Sequence, residues 1–138
     1  MPRPTKSVPS TKSSKPPSKP PYPFVLDALE PLVPEVRRMF SCFALYSANL
    51  LILMLRDSPI STRDNGVWLV LSEATHPSDP TLRRDFPSLR RIELLGGKIT
   101  HWLLIPSDSP TFETESLHAC DLLLHRDTRL GRIPQSRR

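Results

Sequence analysis

The stretch SCFALYSANLLILML, residues 41–55, decides the fold, because it carries no charged side chain. The Ser-Ala-Asn triplet at residues 47–49 divides it into two apolar runs, residues 42–46 and residues 50–55. A membrane-spanning helix needs about 20 apolar residues, whereas this stretch is shorter and interrupted by polar side chains. The pattern therefore predicts a β-hairpin. Its second strand is apolar at every position, as in a central strand that is covered on both faces.

Upstream of this hairpin, residues 26–39 carry apolar side chains at helical spacing, and Pro34 fits the first position of a second helical piece. The apolar side chains are Leu29, Leu32, Val33, Val36 and Met39. The sequence thus predicts a broken helix at the start of the folded part.

Downstream, turn-forming residues separate short apolar runs. The Asn65-Gly66 pair precedes a strand over residues 67–71, and Gly96-Gly97 divides residues 92–105 into a second hairpin. Asp79 and Ser109 each precede a proline in the manner of helix N-caps, which predicts a short helix through Phe86 and a longer final helix. The apolar stripe of the final helix comprises Phe112, Leu117, Cys120, Leu123 and Leu124.

This order of elements predicts an α+β fold rather than alternating strands and helices. Its antiparallel sheet is expected to consist of two hairpins and one further strand, with the helices packed mainly on one side of the sheet. A chain of this length can bury one hydrophobic core.

The first 23 residues differ in composition from the rest of the chain. They hold eight of the 17 prolines, five basic side chains and no acidic one. Such a segment cannot bury enough apolar surface to offset its ordering entropy. We therefore expect a disordered, Pro/Lys/Ser-rich basic tail over residues 1–23, a single domain over residues 24–134 and a basic C-terminal end over residues 135–138.

The net charge of +5 is located in the two ends of the chain. Residues 24–127 hold ten basic and all 14 acidic residues, and residues 128–138 add four arginines. Sequence-independent affinity for nucleic acid rests on basic side chains that neutralise phosphates, and a mildly acidic body supplies few of them. Weak contact between the basic ends and a nucleic acid is therefore an alternative function.

The segment Arg37-Arg38-Met39-Phe40, followed by Ala44-Leu45-Tyr46, resembles the opening of the TfoX N-terminal domain, a bacterial family related in fold to the YjbR-like proteins. Further similar motifs are Asp64-Asn65-Gly66-Val67-Trp68, Leu82-Arg83-Arg84-Asp85-Phe86-Pro87, Gly96-Gly97, and Trp102 with Pro106. The similarity covers about residues 34–134, although Ser41 and Cys42 stand where the family tends to have glycines. It implies a non-catalytic domain linked to the regulation of DNA uptake in some bacteria.

Three arginine pairs are candidate binding residues, because guanidinium groups bind phosphate in a bidentate manner. The pairs are Arg37 and Arg38, Arg83 and Arg84, and Arg90 and Arg91. The alternative is that all six are solvated side chains paired with acids, and a shared face would distinguish the two readings. Trp68 and Trp102 either pack between sheet and helices or, on one open face, line a pocket for a flat ligand.

No residue pattern predicts a catalytic site, a metal site or a cofactor. His118 and His125 are too far apart along a helix to chelate one ion readily. Cys42 and Cys120 form no CxxC motif and are expected to be reduced core residues, although a nucleophilic Cys42 beside a histidine stays an alternative. The polar N-terminus has no apolar signal segment, which favours the cytoplasm and no membrane.

The sequence therefore favours a non-enzymatic binding or regulatory module whose partner is another protein. One alternative is a nucleic-acid-associated protein that uses its basic termini. A second alternative is an unrecognised small-ligand protein or enzyme.

Overall fold

The computed structural model describes residues 19–96 and 100–133. The predictions for residues 1–18, 97–99 and 134–138, which include most of the tail, the basic C-terminal end and Gly97, lie outside the described residues. In chain order the helices and strands are α1 (Pro23–Ala28), β1 (Glu35–Met39), β2 (Cys42–Ser47), β3 (Leu50–Arg56), β4 (Gly66–Val70), α2 (Pro80–Asp85), β5 (Trp102–Pro106) and α3 (Phe112–Leu124). The described 3-10 turns are Glu30–Leu32, Thr62–Asp64 and Glu93–Leu95.

The uncharged stretch forms the predicted hairpin of β2 and β3. Ala48 and Asn49 make its two-residue turn with φ values of 50° and 70°, the left-handed conformation that such a turn favours at both central positions. β3 is the middle strand of the sheet, and all its residues after Leu50 are buried. The prediction of a central strand covered on both faces is confirmed.

The five strands form one antiparallel sheet in the order β1-β2-β3-β4-β5, which confirms the α+β class. The strand β1 lies where the sequence predicted a second helical piece after Pro34, and that prediction is wrong. Val33, Val36 and Met39 are spaced as on a helix face, but the backbone of residues 35–39 pairs in register with β2 instead. Pairing with a hairpin strand has overridden a weak local pattern.

The first strand predicted for the second hairpin is also wrong, because residues 93–95 form a 3-10 turn. β5 pairs with β4 along its length, and Arg90 is the one described residue that pairs with its other side, through two backbone hydrogen bonds of 3.0 and 2.9 Å with Leu104. The buried Asp64 carboxylate accepts hydrogen bonds of 2.8 and 2.7 Å from the first two N–H groups of the turn. This cap comes from a residue about 30 positions away, so no local pattern reveals it.

The helices pack on one face of the sheet, as predicted. Their buried side chains form one core with that face, and the contributing helical residues are Val25, Leu82, Ala119, Cys120 and Leu123. The opposite face carries a second buried apolar cluster, which comprises Cys42, Ala44, Tyr46, Leu51, Met54, Trp68, Val70, Ile92 and Leu104. The sheet is thus apolar on both faces over its central strands.

The buried face of α3 differs from the predicted stripe. Leu117 is 40% exposed, whereas Glu115 and Ser116 are buried. The Glu115 carboxylate accepts hydrogen bonds from the Ser88 N–H at 3.1 Å and from the Ser88 hydroxyl at 2.6 Å. The buried face of α3 is therefore rotated towards Glu115, which binds the loop after α2, and Leu117 lies at its exposed border.

Both ends of the described chain are built into the fold. Leu130 and Arg132 pair with Leu71 and Leu51, so the segment lies between the diverging ends of β3 and β4. At the other end, the Tyr22 hydroxyl donates a hydrogen bond of 2.7 Å to the carbonyl of Arg56. The folded part thus includes the last residues of the predicted tail. Within residues 19–96 and 100–133, no helix has the length and apolarity needed to cross a lipid bilayer.

Candidate functional site

A small cavity opens beside β5, at the outer edge of the sheet. It has a volume of about 260 Å³ and is lined by His76, Pro77, Ser78, Arg83, Arg91 and Leu103. We call this cavity the basic cleft. Its walls come from the loop before α2, from α2 itself and from the segment between α2 and β5, and Leu103 of β5 contributes an apolar wall. One arginine from each of two predicted pairs thus lines a single cavity.

The start of α2 is fixed by the predicted N-cap. The Asp79 carboxylate accepts hydrogen bonds from the N–H of Thr81 at 2.9 Å and from its hydroxyl at 2.8 Å. These hydrogen bonds lower the pKa of Asp79. Arg83 follows within the same short helix, and its guanidinium donates a hydrogen bond of 3.3 Å to the carbonyl of Pro77. The cap and this contact hold the loop and the helix together as one wall.

The hydrogen bonds around His76 assign a role to each of its ring nitrogens. The N–H of Ser78 donates a hydrogen bond of 3.1 Å to His76 Nδ1, and the Ser78 hydroxyl lies 2.7 Å from the same nitrogen. Because a backbone N–H can only donate, Nδ1 is the acceptor in this contact, and Nε2 is the ring nitrogen left to donate. The lining of the basic cleft therefore combines one imidazole donor with two guanidinium groups, which suits an acceptor such as phosphate or carboxylate.

A wider groove of about 480 Å³ continues from the basic cleft and shares His76 and Pro77 with it. Its further lining residues are Glu73, Ala74, Thr75, Thr100, His101 and Arg132. Burial and the charge of Arg132 lower the pKa of His101, so its ring is neutral at neutral pH. Arg132 lies 3.9 Å from the Glu73 carboxylate, and the groove therefore carries charges of both signs.

The remaining arginines of these two pairs contact other groups. Arg84 lies 3.3 Å from the carboxylate of Asp85. Arg90 donates a hydrogen bond of 2.8 Å to the carbonyl of Arg63, and it lies 3.4 Å from the carboxylate of Asp108. Neither side chain lines the basic cleft. In each of these two pairs, therefore, one arginine lines the cleft and the other lies outside it.

The third pair lies at the opposite edge of the sheet. Arg37 and Arg38 belong to β1 and point to opposite faces, as successive residues of a strand must. Arg37 lies 4.4 Å above the ring of Tyr46, and Arg38 lies 4.7 Å above the ring of Phe43. The three arginine pairs therefore do not share one face, and the structure brings together only Arg83 and Arg91.

The two tryptophans share one face of the sheet, with ring centroids 6.0 Å apart. Trp68 is 4% exposed and its indole N–H donates a hydrogen bond of 2.9 Å to the carbonyl of Asp64. Trp102 packs against the same apolar cluster and is half-buried. That face is covered, so the pair belongs to the core rather than to an open aromatic pocket.

Both cysteines are buried and free, as predicted. Burial raises the pKa of Cys42 to about 11 and that of Cys120 to about 12, so both thiols are protonated at neutral pH. Cys42 lies in the second apolar cluster, away from the basic cleft. Among the described residues, no group of His, Cys, Asp and Glu side chains is arranged to hold a metal ion.

Arg129 and Arg132, two of the four arginines that give residues 128–138 their positive charge, are part of the fold. Arg129 makes two parallel hydrogen bonds of 2.9 Å to Asp127, lies 2.9 Å from Asp85 and donates to the Thr81 hydroxyl at 3.0 Å. The hydrogen bonds from Arg129 hold the pKa of Asp127 below its usual range. Arg129 thereby connects the C-terminal segment to α2, and it is not available as a flexible arm.

His76 and Ser78 are not among the binding residues predicted from the sequence. The available signal was their position directly before the helix start at Asp79-Pro80. Side chains in such a loop lie near the first turn of the helix and so near Arg83. Their proximity to Arg91 depends on the path of the segment from α2 to β5, which the sequence misassigned to a hairpin.

Comparisons with protein-family models, with curated proteins and with solved structures found no match to this chain. The resemblance to the TfoX N-terminal domain stays a prediction that rests on the quoted motifs. A functional proposal for this chain therefore has to start from the geometry of the basic cleft.

Proposed function

We propose that this chain is a non-enzymatic binding module that holds an anionic side chain of a partner protein in the basic cleft. The observation that carries this proposal is that Arg83 and Arg91 line one cavity together with His76 and Ser78. Guanidinium groups form charge-assisted, bidentate hydrogen bonds with phosphate and carboxylate groups. A phosphorylated side chain offers the largest number of acceptors to such a lining.

The size of the basic cleft supports a side chain rather than a whole small molecule. Its volume of about 260 Å³ lies below the range of about 300 to 1,000 Å³ that is usual for pockets of drug-sized ligands. The adjoining groove adds about 480 Å³ along the same surface. An extended protein segment would place its anionic side chain in the basic cleft and its neighbouring residues in the groove.

Two observations favour a protein partner over a nucleic acid. Arg129 is held by Asp127 and Asp85, and Arg132 donates to the carbonyl of Leu71 at 3.2 Å. These two arginines are half of the four basic side chains in residues 128–138, and their contacts within the fold occupy them. The described body also contains more acidic than basic residues, and sequence-independent binding to a phosphate backbone depends on the number of basic side chains that neutralise phosphates.

The state of the two thiols supports a non-enzymatic role in the cytoplasm. A cysteine nucleophile reacts as the thiolate, whereas burial keeps both thiols of this chain protonated. Free buried cysteines are also usual in a reducing compartment. The resemblance to the TfoX N-terminal domain, which implies a non-catalytic regulatory domain, points in the same direction.

The proposal is tested by titrating the full chain with a short acidic peptide that carries one phosphoserine, and with the same peptide carrying serine. Backbone NMR shifts and calorimetry measure the binding. We expect the phosphorylated peptide to bind more tightly and to shift the signals of His76, Ser78 and Arg83. The double variant Arg83→Ala, Arg91→Ala should bind it about a hundredfold more weakly, or about tenfold for each arginine.

The matched control is Arg84→Ala, which removes the same charge from the same helix but from outside the basic cleft. Its affinity should stay within about twofold of the original value, since an exposed charge of this kind contributes little. Equal binding of the two peptides, or full affinity in the double variant, would overturn the proposal. Tighter binding of a short DNA duplex that displaces the peptide would instead favour the nucleic-acid function.

A further inference from the structure

One edge of the sheet is left unpaired by the described strands. β1 pairs with β2 on its inner side, and no described strand pairs with its outer side. Four of its five residues are exposed, and it is flanked by Val33 and Phe40, which are 82% and 91% exposed. An unpaired edge presents N–H and C=O groups to any other strand, and apolar side chains beside it add surface that gains from burial.

We propose that β1 pairs in an antiparallel manner with β1 of a second copy of this chain, with Val36 on the two-fold axis. The two sheets then form one continuous ten-stranded sheet. This dimer does not depend on the basic cleft, because the cleft lies beside β5 at the opposite edge of the sheet. The proposal rests on the backbone pattern, the charge pattern and the exposed apolar side chains of this edge.

The backbone pattern of β1 places outward hydrogen-bonding groups at Val36. Met39 and Cys42 are paired residues that close a two-residue turn, and such closing pairs exchange backbone hydrogen bonds. In an antiparallel pair, hydrogen-bonded and non-hydrogen-bonded positions alternate. Val36 therefore lies opposite Leu45 in a non-hydrogen-bonded pair, and its N–H and C=O point away from β2. Two such residues can form a reciprocal hydrogen-bonded pair on a two-fold axis.

The charges of β1 favour this register over the register that is shifted by one residue. With Val36 opposite Val36, Glu35 of each copy faces Arg37 of the other, and two pairs of opposite charge form. A register one residue further along would place Arg37 opposite Arg37, and like charges directly across a sheet are unfavourable. Glu35 and Arg37 already lie on one face and form an exposed ion pair of 3.1 Å within each copy, so both side chains point in the direction that the dimer requires.

The same register brings together the exposed apolar residues at the two ends of β1. Because the two strands run in opposite directions, Val33 of one copy lies at the same end of the strand pair as Phe40 of the other. Both flanking residues are almost fully exposed in the single chain, and their burial would favour association by about 25 cal/mol per Å² of apolar surface. The hydrogen-bonding, charge and apolar patterns thus agree on one arrangement.

The test uses two charge-reversal variants of the full chain, Glu35→Arg and Arg37→Glu, and sedimentation velocity as the readout. The unmodified chain should dimerise. Each variant alone places like charges opposite each other at both positions, so its dissociation constant should rise about tenfold or more. An equimolar mixture of the two variants restores both attractive pairs and should form a heterodimer with at least the affinity of the unmodified chain.

Recovery in the mixture cannot come from the ion pair within one chain, because both variants lack that pair. The control is Arg63→Glu, which reverses the charge of a comparable exposed ion pair with Glu93 and should leave the dimer unchanged. Circular dichroism checks that each variant is folded. A monomeric unmodified chain at high concentration, a dimer that survives both reversals, or a mixture that stays monomeric would each overturn the proposal.

Discussion

The two edges of the sheet are constructed in different ways. At the β5 edge, Arg90 pairs with Leu104 through two backbone hydrogen bonds, and α2 with its preceding loop packs beside the strand to form the basic cleft. At the β1 edge, the outer backbone groups have no described strand beside them, and the side chains on both faces are exposed. One edge is covered by the chain itself, whereas the other is left for solvent or a partner.

This difference shows how an edge acquires a function. Sheet edges have to be covered, charged or shortened if unspecific pairing is to be avoided. The part of the chain that covers the β5 edge also positions Arg83 and Arg91 around one cavity. The same residues therefore prevent unspecific pairing of β5 and form the candidate binding site. The β1 edge is short and carries charges of both signs. These charges disfavour pairing with most other strands, but in the proposed antiparallel dimer Glu35 of one copy faces Arg37 of the other.

The largest effect is expected where β4 meets the covered edge. Gly66 has a φ of 144°, and a Cβ there would clash with the carbonyl oxygen of Ile105 in β5. The obstructing atom is backbone, so β4 and β5 would have to separate. We expect Gly66→Ala to lower the free energy of unfolding by about 3 to 5 kcal/mol, measured by urea titration.

Gly96→Ala is the matched control for this substitution. Gly96 also has a positive φ, of 68°, but a Cβ there has no atom within 4 Å. Its cost should be limited to the left-handed backbone, about 1 kcal/mol. Similar losses at the two glycines would show that backbone conformation, and not the contact with β5, determines the result.

The second prediction compares the same substitution at both edges. Proline lacks the N–H with which Arg90 binds the carbonyl of Leu104, so Arg90→Pro should cost about 2 to 3 kcal/mol in the free energy of unfolding. Val36→Pro removes an outward N–H and should cost the monomer less than about 1 kcal/mol, but it should abolish the proposed dimer. Urea titration and sedimentation measure the two effects.

Arg90→Ala keeps the backbone hydrogen bonds and is the control for loss of the side chain. It should be destabilised less than Arg90→Pro. If the two proline variants lost equal stability, the two edges would be equivalent in the monomer, and the comparison between them would be wrong.

The centre of the sheet was predictable because its signal is local and strong. The hairpin of residues 41–55, the strand after Gly66 and the two helices that begin near Asp79 and Ser109 follow from apolar runs and turn residues. The edges were predicted less well. Residues 35–39 have helical spacing but pair with β2, and residues 92–95 have strand-like composition but form a turn that Asp64 caps from a distance. At an edge, long-range partners decide between weak local preferences.

The candidate site was predictable only as a set of residue types. The sequence identified arginines as anion-binding candidates, yet it treated Arg83 and Arg84 as one unit and Arg90 and Arg91 as another. In the structure each pair is divided, because adjacent residues point in different directions. The role of Arg129 was not visible either: its charge counts toward the basic end of the sequence, but it is held by Asp127 and Asp85, carboxylates that are two and 44 residues away in the sequence.

The smallest expected effect is the pH dependence of the ion pairs through which Arg129 attaches α2 to the C-terminal segment. Although partial burial raises the pKa of Asp85, hydrogen bonds from Arg129 and Arg84 lower it overall, and hydrogen bonds from Arg129 lower the pKa of Asp127. A carboxylate whose pKa is lower in the folded state stabilises the fold above its unfolded pKa of about 3.9, and this contribution is lost as the pH falls through the folded value. Arg129→Met should therefore lower the free energy of unfolding by about 1 to 2 kcal/mol at pH 7, and this difference from the unmodified chain should shrink when both are unfolded with urea at pH 3.

The control is Arg84→Met. Its contact with Asp85 is largely exposed, so this substitution should lower the free energy of unfolding by less than about 0.5 kcal/mol at pH 7. A loss for Arg129→Met that persists unchanged at pH 3 would mean that packing of the side chain, and not its ion pairs with Asp85 and Asp127, holds α2 against the C-terminal segment.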